Sequence, residues 1–238
     1  RLLGRQFVLG QTIEEGMRNA RERERQGYTY SYDMLGEAAR TEADALRYLK
    51  SYSDAIASIA KAAKGDVRSN PGISVKLSAL HPRYETTHRD TVMATLVPRA
   101  LELARQAAKA NIVCDVDAEE QDRLDLSLDI IEAVLSDESL KGWDGFGVVV
   151  QAYGRRAVPV IEYLDTLARR LDRRIMVRLV KGAYWDTEIK LAQEMGTHTF
   201  PVFTRKVNTD LSYMACAQML LDRRDRIYPQ FATHNAPT

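Results

Sequence analysis

Six short runs along the chain carry the apolar pattern of strands: TYSYDML (29–35), ISVKLSAL (73–80), NIVCDVDA (111–118), FGVVVQAY (146–153), RIMVRLVKGAY (174–184) and IYPQFATHN (227–235). Most are separated by segments with helical periodicity. The clearest spans 41–64, where Thr41 and Asp44 form a capping-box pair and Leu46, Leu49, Ile56 and Ile59 recur at helical spacing. Further helices are expected around 97–108, 124–134, 161–171 and 211–221. Residues 1–26 read as an N-terminal helical segment whose RNARERERQG stretch is a solvated charged face. No Ser/Gly-rich linker interrupts residues 27–238, which are expected to form one domain of alternating β and α.

Strand side chains alternate between faces, so register sorts the residues within each run. In ISVKLSAL, Ile73, Val75 and Leu77 fall on one face and Ser74, Lys76 and Ser78 on the other. The same logic groups Asp115 with Asp117, Gly147 with Val149 and Gln151, and Met176 with Arg178 and Val180. Each run carries a polar group near its C-terminal end: Asp33, Lys76, Asp117, Gln151, Arg178 and His234. A closed (β/α) barrel builds its site from the ends of all its strands, whereas an open doubly wound sheet uses only its switch point. The pattern therefore predicts an α/β fold of the closed (β/α) barrel type. Arg178 sharpens the question, because an unpaired guanidinium among Ile175, Val177, Leu179 and Val180 would cost several kcal/mol.

Composition narrows the possibilities. At 238 residues and 45% hydrophobic content the chain can bury one large core. Lys+Arg 34 against Asp+Glu 33 leaves no basic surface for nucleic acid and no polybasic run for a membrane face. Cys114 and Cys216 lack metal-ligand spacing, so no metal site is expected and both read as core residues of a reducing compartment. No apolar run reaches membrane-spanning length, and a cytoplasmic location is expected, with peripheral membrane contact by a parent protein left open. Neither GxGxxG after the first strand nor GxxxxGK[ST] occurs, so a ligand must be gripped by dispersed groups. Arg178 and Lys181 offer cations, Gly182 permits close backbone approach, and Tyr184 and Trp185 offer flat ring faces. Thr204, Arg205 and Lys206 sit at an expected helix start, where N–H groups favour a phosphate. Together these suit a large aromatic phosphate-bearing cofactor.

The runs YTYSYDMLGEAA, ISVKLSALHPRYE, DAEEQDR, RLVKGAYWDTEIK, PVFTRKVNTD and YPQFATHNA, in this order, closely resemble the proline dehydrogenase domain of the bifunctional proline utilization A flavoenzymes. The resemblance covers nearly the whole chain. It implies a (β/α)8 barrel holding FAD noncovalently, which oxidises L-proline to Δ1-pyrroline-5-carboxylate by hydride transfer to flavin N5 and passes electrons to a membrane quinone. By resemblance Arg178 lies beside flavin N5, with its charge met by the flavin and nearby carboxylates. Lys76 binds the proline carboxylate with two arginines, Asp117 belongs to the same network, and Tyr184 lies at the substrate. Gln151 contacts the flavin ring. Val180, Gly182, Ala183, Tyr184 and Trp185 line the flavin and its adenosine end, Thr204 and Lys206 make later cofactor contacts, and Thr233, His234 and Asn235 form a strand-end cluster on FAD.

The residues alone leave other readings open. Asp117 could cap the following helix with Glu120, Tyr184 and Trp185 could be packing aromatics, Asn235 a simple cap, and His234 a satisfied core histidine. His81 has no assigned role. The family pattern continues past Thr238 with two more strands and a helix bearing the arginine pair. The chain is therefore expected to need that remaining barrel segment, in the same or a separate polypeptide, and a fragment inactive without it is the alternative. A phosphate-binding barrel aldolase or isomerase, with Lys76 as a Schiff-base group, is the rival enzyme.

Overall fold

The computed structural model describes residues 8–233. Six strands, β1 (Ser31–Asp33), β2 (Gly72–Val75), β3 (Val113–Val116), β4 (Phe146–Gln151), β5 (Ile175–Val180) and β6 (Ile227–Phe231), form one parallel sheet in sequence order. Seven α-helices are described: α1 (Ile13–Arg25), α2 (Glu42–Ala60), α3 (Arg89–Ala110), α4 (Leu124–Leu135), α5 (Ala157–Arg170), α6 (Trp185–Glu194) and α7 (Lys206–Asp222). All six expected strands are present. The capping box of α2 forms as the sequence predicts: the Asp44 amide donates to Thr41 Oγ1 at 3.1 Å, and the Thr41 amide donates to Asp44 Oδ2 at 3.0 Å. The charged face of α1 is solvated, while its Gly16 and Ala20 are buried.

The outer face of the sheet carries the core. Ile73, Val75, Cys114, Val116, Val148, Val150, Val177 and Leu179 are all buried, together with Ile56, Ile59, Leu103, Ile130 and Leu164 from the covering helices. Their spacing follows from parallel strands whose helices pack on one side. Cys114 and Cys216 lie there as free thiols, and burial pushes Cys114 up to about 12.

Sheet curvature can be read from one side chain. In a flat sheet β1 and β5 would lie about 19 Å apart, at about 4.8 Å per strand. Yet Arg178 on β5 donates to Ser31 on β1 and to Ser74 on β2, at 2.9 and 3.0 Å. Only a sheet rolled into most of a barrel, inner face concave, brings these together. Near the other end Arg68, just before β2, lies over the Tyr228 ring of β6 at 5.4 Å.

Two expectations change. A helix, α6, begins at Trp185 where the sequence suggests a ligand-lining loop; it is short and polar, burying Glu188 and Ala192, so its periodicity is faint. The chain also turns out of β2 at Lys76 into a 3-10 turn over Leu77–Ala79. Ser78 thereby leaves the inner face and accepts from the Ala38 amide at 3.0 Å.

Candidate functional site

The inner face is polar where the outer one is apolar. Ser31, Ser74, Asp115 and Arg178 meet at its centre, and Asp33, Lys76 and Asp117 stand at the strand ends above them. Arg178 Nη2 donates to Asp115 Oδ2 and to Ser31 Oγ, and Nη1 to Ser74 Oγ, with Asp117 Oδ1 at 3.9 Å. The guanidinium is thus held by three strands and keeps one-fifth of its side chain exposed. Its sequence puzzle is answered chiefly by Asp115, which shares an inner face with Asp117 but draws no attention by itself.

Asp115 is fully buried. Burial pushes its carboxyl up to about 6, although Arg178 pulls the other way. Gly147 on β4 makes room for it: a Cβ there would overlap Asp115 Oδ1. Lys76 Nζ donates to Asp33 Oδ1 at 2.8 Å and to Asp117 Oδ2 at 3.0 Å. Burial alone would lower the lysine, but Asp117 and Asp33 outweigh it and hold it above its ordinary value. Asp117 does not cap a helix; its carboxylate faces Lys76, and the following 3-10 turn has Glu120 at its cap position without a side-chain bond. An ammonium has three donors, so after Asp33 and Asp117 one is left for a ligand oxygen.

Above β4 and β5 the loops interlock. Gln151 Nε2 donates to the Glu119 carbonyl at 2.9 Å and its Oε1 accepts from the Ala183 amide at 3.3 Å, tying two loops together. Tyr153 donates its amide to the Lys181 carbonyl at 2.7 Å. Gly182, at φ 139°, passes so close to the Tyr153 ring that a Cβ would collide with it. Tyr184 stands half-buried at the start of α6, with Glu37, Glu119, Glu120 and Lys76 near enough to act on its phenol, which burial pushes up to about 12. Trp185 is 42% exposed, with Nε1 donating to the Phe203 carbonyl at 2.8 Å. Val180 is half-buried on the Arg178 face.

A second cationic patch lies at the start of α7. Lys181 and Lys206 both reach Asp210, at 2.7 and 2.6 Å, and hold its carboxyl below the usual range. Arg205 occupies the cap position with extended backbone and no side-chain cap, and Thr204 is exposed beside it. Thr233 follows β6; His234 and Asn235 lie outside the described residues. His81 is buried, accepting the Arg83 amide on Nδ1 at 3.0 Å. Among the described residues no group of three His, Cys, Asp or Glu side chains is placed to hold a metal ion.

The family model described as proline dehydrogenase matches residues 16–238. The bifunctional protein PutA of Escherichia coli K12 is 55% identical over the whole chain, which spans 18% of that protein's length. Proline dehydrogenase 1 of Bacillus subtilis is 26% identical over 99% of the chain and 66% of that protein. A crystal structure of proline utilization A from Bdellovibrio bacteriovorus superposes with a TM-score of 0.91 at 27% identity, covering 98% of this chain and 25% of that one. The likeness includes the (β/α) barrel architecture, and the chain spans about a fifth of the length of its bifunctional relatives. The chain belongs to the proline dehydrogenase family.

Proposed function

We propose that this chain forms the greater part of an FAD-dependent proline dehydrogenase site that oxidises L-proline to Δ1-pyrroline-5-carboxylate. The observation that carries the reading is the Arg178 and Lys76 pair: two cations on one concave face, each fixed by carboxylates yet each keeping a donor or edge toward the mouth. When bound, the flavin supplies the two-electron acceptor for the hydride leaving proline. The residues present fit such a group. Trp185 exposes a ring face while its N–H is anchored, the amides opening α7 have no side-chain cap, and Lys181 and Lys206 stand beside them for phosphate. Gln151, Val180, Gly182, Ala183, Tyr184, Thr204, Thr233, His234 and Asn235 complete the proposed contacts.

In this reading Arg178 is a fixed cation where negative charge gathers on reduction, which stabilises the product side of the transfer. Lys76 offers its remaining N–H to the substrate carboxylate and thereby orients the C–N bond. Tyr184 closes the substrate side. Two arginines from the remaining barrel segment would take the larger, bidentate share of the carboxylate, and electrons would leave to a quinone at a membrane that the parent protein touches peripherally. Among the described residues no helix is long and apolar enough to cross a membrane.

The rival aldolase reading needs a lysine that loses its proton easily. Lys76 is held the other way, between two carboxylates that keep it charged. The test is direct. The chain, complemented with the C-terminal part of a relative's barrel, is titrated with FAD and then given L-proline. Bleaching of the flavin's visible absorbance is expected; flavin retention without bleaching overturns the assigned substrate, and no retention overturns the cofactor. The uncomplemented chain is expected to show little or no turnover.

A further inference from the structure

Asp115 is the costliest group on the inner face. It has no exposed surface, and although Oδ2 takes Arg178 and accepts from Ser31 Oγ at 3.5 Å, Oδ1 has no hydrogen-bond partner. A buried carboxylate using one oxygen is weak evidence for stability, since an apolar side chain of that volume would avoid the desolvation. Five strands frame it: Ser31 from β1, Ser74 from β2, Asp117 beyond its own β3, Gly147 from β4 and Arg178 from β5. Gly147 gives up a side chain altogether to admit it. Such an arrangement calls for a reason other than folding.

The reason lies in where Arg178 would otherwise go. Asp117 stands 3.9 Å from Nη1 and is already shared with Lys76. With the serines as its only other partners, the long arginine stem would let the fork swing onto Asp117, bringing both cations to one carboxylate and loosening Lys76. Asp115 takes the lower edge of the fork from beneath, in the barrel interior. Asp117 is thereby left to the lysine.

We propose that Asp115 is the positioning residue for Arg178, holding its guanidinium apart from the Asp117–Lys76 pair so that it stays centred on the mouth, and that Gly147 is kept bare to make this possible. The inference rests on the reading of Arg178 as the cation that favours reduced flavin.

Position and charge make opposite predictions. If Asp115 acted only as a negative charge, removing it would favour reduced flavin; if it positions the cation, removing it disfavours reduced flavin. The flavin midpoint potential of the loaded, complemented protein reads this without turnover. Asp115→Ala is expected to weaken binding of reduced relative to oxidised flavin about tenfold, a shift of ~30 mV to lower potential for two electrons. Arg178→Met should shift it in the same direction and further, and the double variant no further than Arg178→Met alone. Asp115→Asn keeps the shape of the protonated acid and should give a smaller shift of the same sign, so it decides the matter where the alanine variant does not fold. An unchanged or raised potential in the Asp115 variants, beside a lowered one in Arg178→Met, overturns this inference alone. A wild-type protein that holds no flavin, or an Arg178→Met protein with unchanged potential, overturns the flavin reading and this inference with it.

Discussion

The two faces of the same six strands are built on opposite principles. The outer face is a continuous apolar surface in which many side chains share the load, from Ile73 and Val75 to Val177 and Leu179. The inner face rests on a handful of charged and hydroxyl groups whose partners come from strands far apart in sequence, as Arg178 and Ser31 do. Dispersion and burial are additive over many atoms, so the outer face tolerates small errors. A buried charge network is not additive; each partner removed leaves another group uncompensated. One face therefore makes the fold and the other uses it.

That contrast can be broken from either side. Ile73→Ala, on the outer face with no exposure, should cost about 4 kcal/mol of stability by creating a cavity, while the flavin affinity of the folded fraction stays unchanged. Denaturant unfolding and FAD titration together check this; a loss of affinity in the folded fraction would show that the two faces are not independent.

The next largest effect concerns pH. The folded chain holds Asp115's proton up to about 6, against the usual 3.8 once unfolded. Between these values the folded state binds more protons than the unfolded state, so rising pH removes stability through this group, by about 3 kcal/mol in all. The stability of the wild type relative to Asp115→Asn should fall from about pH 4 to about pH 6 and level off above. A difference independent of pH would show that Asp115 is ionised throughout.

Arg178→Met should lower turnover about 10²-fold, roughly 2.7 kcal/mol of lost electrostatic stabilisation. A methionine there has apolar neighbours to pack against, but a second effect follows: Asp115 is left buried without its cation. The double variant Arg178→Met with Asp115→Asn should regain stability and not activity. Recovery of both would remove Arg178 from the chemistry.

Lys76→Met should raise KM for proline about tenfold, ~1.4 kcal/mol, with the flavin spectrum little changed, if the lost donor faces the substrate as proposed. A changed spectrum with normal KM would move Lys76 to the cofactor. Trp185→Ala should weaken FAD by a few-fold, about 1 kcal/mol, without altering substrate selectivity. Unchanged affinity would leave Trp185 as no more than an anchor on Phe203.

Much of this is legible in the sequence. Period-two alternation and short apolar runs place all six strands, and the Thr41 and Asp44 pair marks the start of α2, because these signals are local and each residue carries its own share. The inner-face membership of Asp115, Gly147 and Arg178 also follows from alternation. Helix α6 escapes such a reading, since ten mostly polar residues burying only Glu188 and Ala192 leave little period to see. Alternation puts Ser78 on the wrong face because it holds only while the strand lasts, and β2 ends at Val75.

Partner choice was decided by the tertiary structure. Sequence marks Lys76, Asp117 and Arg178 as polar groups needing company, and cannot say that Lys76 goes to Asp33 and Asp117 while Arg178 goes to Asp115, Ser31 and Ser74. Those pairings depend on how tightly the sheet curls, a property of all six strands at once. The same holds for Gly147, an ordinary strand glycine in sequence, whose missing side chain matters only because a carboxylate from the next strand occupies the space. Chain-local patterning thus determined which residues face inward, and the curvature of the packed sheet determined which of them touch.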